Sequence, residues 1–467
     1  MMVGHVPIFT FWLQFLSMLD VVVIPIYFFL LWLFVRITVF IFNKNNPTYK
    51  YFWPGLLCKL FGAIGVCVVY SFYYNGGDTT TYFVDSIVMN KLIFINPGAY
   101  FHILFNHEGV VDYYAFNSAI GFPENLDDPK SFMVVRIISP ITFICFNSFF
   151  LTTMVLATLA YVGVWRMYRT FMYEFPQLRW QIAIPILFFP SVFFWGSGIL
   201  KDTITFSCLG HLIFCIYMIF IRGEKKFVHT IQLLIAILII LAIKPYIFVG
   251  VVPAFLVFVL SVANSRFKNE VLRYMFFPFM AFCIFGGGFG LMSLLSSSLG
   301  AYSFDHIFDR AVETQKDFKS EFYQGNTFDI GELEPTFTGL ISKFPLAVNA
   351  ALFRPFITEV RNPVMLLSAI ENFYVLVITI IALLRSRIFG FFKVCLTNHL
   401  LLFSFVFSMF FSFSVGITTA NFGSLVRYKI PMLPFYIVSV LIANAMYTKL
   451  YKEKQEEAKM LNEPAVS

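Results

Sequence analysis

Five short polar motifs interrupt an otherwise apolar chain, and each carries groups able to do chemistry. They are Gly76-Gly77-Asp78-Thr79, Trp195-Gly196-Ser197 with Lys201-Asp202, Lys244-Pro245-Tyr246, Arg354-Pro355-Phe356 with Glu359, and Arg427-Tyr428-Lys429. Asp78, Asp202 and Glu359 are the candidate catalytic carboxylates. A carboxylate partly withdrawn from water at a membrane boundary gains proton affinity and approaches the range of a useful general base. Lys201, Lys244, Arg354 and Arg427 are candidate cations for a phosphate, with arginine offering a planar, two-pronged donor set. Tyr82, Trp195 and Tyr428 complete the candidate substrate-binding residues. Each motif also has a plainer reading. Asp78 or Thr79 can cap a helix, the lysines can snorkel from helix ends, and the arginines can anchor at an interface.

The elements that must position these groups are membrane helices. The chain has 467 residues, of which 59% are hydrophobic and 13% charged, and its mean hydropathy is +0.79. A soluble domain is about a quarter charged, so this chain cannot cover a water-facing surface. Repeated apolar runs of about 20 residues make it an all-α polytopic membrane protein. The 63 phenylalanines suit lipid-facing helix surfaces and an acyl-chain groove. The net charge of +7 comes from Lys and Arg in short connectors. It follows the positive-inside pattern and gives no reason to expect a nucleic-acid partner.

Threading the basic connectors inside gives about eleven transmembrane helices, with the N-terminus out and the C-terminus in. The spans fall at about 16–42, 54–74, 133–162, 181–200, 203–221, 229–243, 246–263, 274–297, 364–384, 396–415 and 431–448. Lys59 marks the cytoplasmic approach to the second. Two long outer loops, about 75–132 and 298–362, carry interfacial helices. Residues 1–448 then form a single transmembrane domain, and 449–467 a charged cytoplasmic tail. On this topology all five motifs reach the outer face. Glu371 and Asn372 lie about two turns into the span that follows Glu359, with Arg354 and Arg361 as candidate partners for the glutamate. The run Gly286-Gly287-Gly288 with Gly290 suits close helix approach or a helix break. It is no phosphate loop, because no Lys-Ser/Thr pair follows.

The seven cysteines and seven histidines show no metal-ligand spacing, HExxH is absent, and no Ser-His-Asp site is readable. No metal-binding residue is therefore assigned. Cofactors are left open: a divalent cation is an alternative to some of the lysines if Asp78 and Asp202 lie close together.

An acid in the first large outer loop, short or re-entrant helices, and outer cations resemble membrane glycosyltransferases of the GT-C superfamily. Asp78 is the position matching the acidic residue that those enzymes hold in their first extracytoplasmic loop. The segments Arg354-Pro355-Phe356…Glu359 and Arg427-Tyr428…Pro431 also look like bacterial surface-polysaccharide membrane proteins, including repeat-unit polymerases. A complete span ahead of the helix leading to Asp78 departs from the usual pattern. The resemblance implies a transferase in the inner (cytoplasmic) membrane. Its partners would be a polyprenyl-linked sugar donor, a glycan or lipid-linked acceptor and the bilayer. A transporter or flippase of lipid-linked glycans is the competing class, since it too uses broken helices and buried charge.

Overall fold

The computed structural model describes residues 18–43, 46–106, 109–269, 312–317, 327–334, 336–361 and 363–462, with scattered positions between 271 and 293. Most of the second half of the expected span at about 274–297, including Gly288 of its glycine run, and residues 298–311 and 318–326 of the loop that follows lie outside these described residues. Among them the chain is helical. It has no β-sheet, only two isolated antiparallel bridges, Asn117–Gly121 and Thr327–Asn421. Eight helices are long and apolar enough to cross a membrane: Val21–Ile41, Pro47–Phe72, Phe149–Glu174, Lys201–Arg222, Lys226–Ile243, Pro245–Ser265, Met365–Thr397 and His399–Thr418. A ninth crossing is available if Phe422–Tyr428 and Leu433–Thr448, bent by 66° at their junction, act as one broken span. The protein is thus an all-α polytopic membrane protein.

The chain divides into two compact units: Met1–Arg169 with Leu187–Phe214 and Gln232–Lys244, and Thr170–Ile186 with Cys215–Ile231 and Pro245–Ser467.

In the first unit the helices run α1 (Met18–Asn43), α2 (Phe52–Phe72), α3 (Asp78–Ile95), α4 (Pro97–Phe105), α5 (Pro129–Ile144) and α6 (Phe149–Glu174, to Arg169). Asn96 and Asp128 each cap a helix that begins with proline, so α4 and α5 have sequence-encoded starts. The single span expected at 133–162 is two helices, because the chain turns at Cys145–Ser148 with Phe146 and Asn147 at positive φ. α3 packs on α5 through side-chain hydrogen bonds: Ser86 donates to Thr142 (3.0 Å), and Ser139 to Asn90 (2.6 Å). Asp85, on α3, accepts from the backbone N–H groups of Glu124 and Asn125 (2.9 Å each) and from the Asn125 amide (2.7 Å). That acid ties down the 109–128 connection. Burial pushes its carboxyl up, against the lowering effect of those hydrogen bonds.

The expected span at 181–200 is not one helix. It is α7 (Arg179–Ala183), a π turn at Ile184–Phe188, and α8 (Pro190–Trp195). Pro190 starts α8 afresh after the extended Phe189. Residues 196–200 then run through a buried turn into α9 (Lys201–Tyr217). α8 lies in the first unit against α2, where Gly62 faces the backbone of Phe193 and any side chain would collide with it. α10 (Lys226–Ile243) contributes its second half to the same unit.

The second unit holds α11 (Pro245–Ser265), α12 (Phe337–Ser342), α13 (Phe344–Phe353), α14 (Pro363–Thr397), α15 (His399–Thr418), α16 (Phe422–Tyr428) and α17 (Leu433–Asn462). α11 packs on α15, and α14 on α17. Phe403, Phe407, Phe411 and Phe435 are fully buried there, so part of the phenylalanine excess is helix-packing core. Charged residues 449–462 continue α17.

Candidate functional site

Two charged clusters are built from the sequence motifs, one in each unit. In the first unit, Lys201 and Asp202 open α9 and Lys244 closes α10. The Lys244 Nζ donates to Asp202 Oδ1 at 2.6 Å, with side-chain exposures of only 7% and 1%. Such a pair survives in a low-dielectric interior because each charge neutralises the other. The neighbouring Lys201 points instead to Asp128, Nζ to Oδ2, at 3.4 Å. Lys201 also feels the charges of Lys244 and Asp78. Two lysines and three carboxylates therefore gather where the 196–200 turn meets α9.

Asp128, which lies outside the five sequence motifs, is the hub of this arrangement. It caps α5 through the Lys130 N–H (3.0 Å) and accepts from the Ser131 hydroxyl. Tyr82, buried on α3, hydrogen-bonds Ser131 at 3.4 Å. Burial pushes the Asp128 carboxyl up, but the Ser131 hydroxyl, the Lys201 ammonium and the backbone N–H groups of Lys130 and Ser131 hold it below the usual carboxylate range. Its proximity to Pro129 was the only sequence mark, and that mark reads as a helix start.

Asp78 is the first residue of α3 and is exposed. Gly76 and Gly77, at φ 125° and 126°, make the turn before it, a backbone shape that side-chain-bearing residues avoid. Thr80 and Thr81 return hydroxyl hydrogen bonds to Gly77 O (2.8 and 2.9 Å) and fix the helix start. Trp195 is buried, with its ring edge-on to Tyr70 at 6.5 Å. It supports the turn from within.

Lys59 departs from its expected place. It is buried inside the span Pro47–Phe72, not at a cytoplasmic approach, and its ammonium donates to the carbonyl of Gly196. Hydropathy alone does not separate a boundary lysine from one facing a protein interior.

The second unit joins the two remaining motifs. Arg354 grips Glu359 with Nε at 3.0 and 3.2 Å from the two carboxylate oxygens, and its NH2 also reaches Oε1. Glu359 accepts the Phe356 N–H (2.9 Å) as well. The guanidinium lies over Phe328 (4.9 Å) and Phe422 (5.6 Å). Burial pushes the Glu359 carboxyl up, but Arg354 and the Phe356 N–H outweigh it and hold it below its ordinary value. Glu359 is thus committed to a two-pronged ion pair, an arrangement suited to holding a loop more than to taking a proton. Below it, Lys429 is 1% exposed and donates to the Asn372 side chain and to Arg354 O (3.4 Å), while Asn372 donates to Pro355 O (3.3 Å). Glu371 acts on Lys429 through its charge. Arg427 and Tyr428 are half-buried beside it, with Tyr428 edge-on to Tyr246 at 6.3 Å. Lys429, not Arg427, is the buried cation of this motif.

Among the described residues no three His, Cys, Asp or Glu side chains gather as metal ligands. Asp202, the acid that would have to join Asp78 around a cation, is engaged by Lys244. The donor set of the first-unit cluster is one of ammonium groups and carboxylates. No family model, curated protein or solved structure matches this chain.

Proposed function

We propose that this protein is an integral-membrane glycosyltransferase or glycan polymerase of the GT-C type. It would act on polyprenyl-phosphate-linked sugar at the outer face of the bacterial cytoplasmic membrane, in surface-polysaccharide assembly. The observation that carries the reading is the first-unit cluster. An exposed carboxylate, Asp78, shares a charged neighbourhood with Lys201, Lys244, Asp202 and Asp128 at the mouth of a broken helix. Asp78 takes the proton of an acceptor hydroxyl. The acceptor oxygen forms a bond to the anomeric carbon, and the bond from that carbon to the donor phosphate oxygen breaks. The electron pair leaves on the phosphate, where Lys201 meets the developing charge. The finer topology, eleven spans with outer loops at about 75–132 and 298–362, is part of the same proposal.

The test is transfer of labelled sugar from a synthetic polyprenyl-phosphate-linked donor by the purified protein in nanodiscs, together with analysis of lipid-linked sugars in cells lacking it. Donor accumulation in those cells and transfer in vitro are expected. Absence of transfer with every donor, alongside movement of intact lipid-linked glycan across proteoliposomes, would favour the flippase reading. One observation supports that alternative: the discontinuous α8–turn–α9 element with a lysine buried against it.

A further inference from the structure

The buried lysine in α2 has no part in the chemistry above. The turn that it touches follows α8, and a helix end leaves its last carbonyls without partners. In an apolar surrounding each such group must be satisfied internally. Residues 196–200 are all buried, so their backbone groups need partners inside the protein. Gly198 O accepts from the Thr203 hydroxyl (2.6 Å) and the Leu200 N–H (2.9 Å). Ser197 turns its hydroxyl back to Phe193 O. Gly196 O, the capping carbonyl of α8, accepts from Lys59.

α2 fits this element along its length. Gly62 gives close backbone approach to Phe193. Val66 fills the space beside Gly198, where an added Cβ would lie 2.6 Å from a Val66 methyl. Lys59, Gly62 and Val66 lie three and four residues apart, on one face of α2. A leucine or methionine at 59 would fill the volume at far lower desolvation cost. What it would lack is a donor for the carbonyl, and a positive charge at the carbonyl end of a helix.

We infer that Lys59 is a positioning residue: from within the membrane it holds the 196–200 turn that presents Lys201 to Asp128 and Asp202 to Lys244. The inference rests on the functional reading above only for what the turn is positioned to do. The hold on Lys201 is measurable by itself.

The experiment labels the full-length protein in nanodiscs with a water-soluble amine-reactive ester and follows Lys201 by mass spectrometry. Lys201 should react about threefold or more faster in Lys59→Met than in wild type, the factor expected when one hydrogen bond stops holding a local closed state. Lys59→Arg, which keeps charge and donors, should restore slow labelling. Should Lys59→Met fail to accumulate, Lys59→Leu, which also lacks a donor, carries the same expectation. Wild-type labelling of Lys201 in the neutral variant overturns the inference. Sugar transfer is then measured on the same samples. If wild type transfers and Lys59→Met loses turnover with an unchanged KM, both readings stand. If wild type transfers nothing, the functional proposal fails, and the labelling still decides the role of Lys59.

Discussion

Lys244 and Asp202 meet at 2.6 Å with both side chains almost wholly buried, although 42 residues separate them in the chain. Neither charge is tolerable there alone. Lys244→Met should therefore lower stability by about 3–5 kcal/mol, because Asp202 stays buried without its counter-charge. Replacing both, Lys244→Met with Asp202→Leu, should recover most of that loss. Thermal unfolding of the single and double variants in one detergent measures both. A Lys244→Met protein as stable as wild type would show that the pair is not coupled as described.

Asp78 makes the opposite case, an acid that the fold leaves exposed at the start of α3. Asp78→Asn should leave unfolding temperature and membrane insertion unchanged, since the Gly77 carbonyl and the Thr80 and Thr81 hydroxyls fix the turn without its side chain. Sugar transfer should fall about a hundred- to ten-thousand-fold, the usual worth of positioned proton transfer. Near-normal transfer by the purified variant would remove Asp78 as the base and leave the cluster as structure only.

Fold class was legible because hydropathy and basic connectors act over whole spans. Lys201, Asp202 and Lys244 were legible because an ionisable group inside an apolar run needs a partner. Asp128 was hidden in the acidic run Glu124, Asp127, Asp128, where composition reads as solvated loop. Lys59 was hidden by its neighbours, since a lysine near a connector looks like a boundary marker. The stacking of Phe328 against Arg354 depends on the Thr327–Asn421 bridge, a long-range contact that no local pattern announces. The expected span at 181–200 had the length and apolarity of a helix. Pro190 and the Gly196-Ser197-Gly198 turn divide it, and a hydropathy window averages over both.

The Arg354–Glu359 clasp should give the second unit an acid-sensitive hold. The Glu359 carboxyl is held below its ordinary value in the folded protein. A group depressed on folding contributes stability above its unfolded value of 4.5 and loses it as pH falls through the folded value. The stability gap between wild type and Glu359→Gln should therefore be open at neutral pH and close in acid. Asp85, raised by burial, has the reverse sign: its contribution is present in acid and lost as pH rises through the folded value. Unfolding temperatures of wild type, Glu359→Gln and Asp85→Asn across the acid range test this, and a Glu359→Gln gap that widens on acidification would refute it.

The shared outer location of the first-unit cluster is testable without any substrate. Asp127 is exposed in the connection that Asp85 clamps, one residue before Asp128, so its side of the membrane is the cluster's side. Lys225 is exposed just after the span Lys201–Arg222, which begins at the cluster and is long enough to reach the opposite surface. Single cysteines at these two positions should therefore label from opposite sides. With a membrane-impermeant maleimide on intact cells, Asp127→Cys should react at once, and Lys225→Cys only after the membrane is opened. The positive-inside trend agrees, since Arg222, Lys225 and Lys226 crowd the Lys225 end. Labelling of Asp127→Cys only in opened cells would put Asp78, Lys201 and Asp128 on the cytoplasmic face. An outward-facing, lipid-linked donor could not then be their substrate.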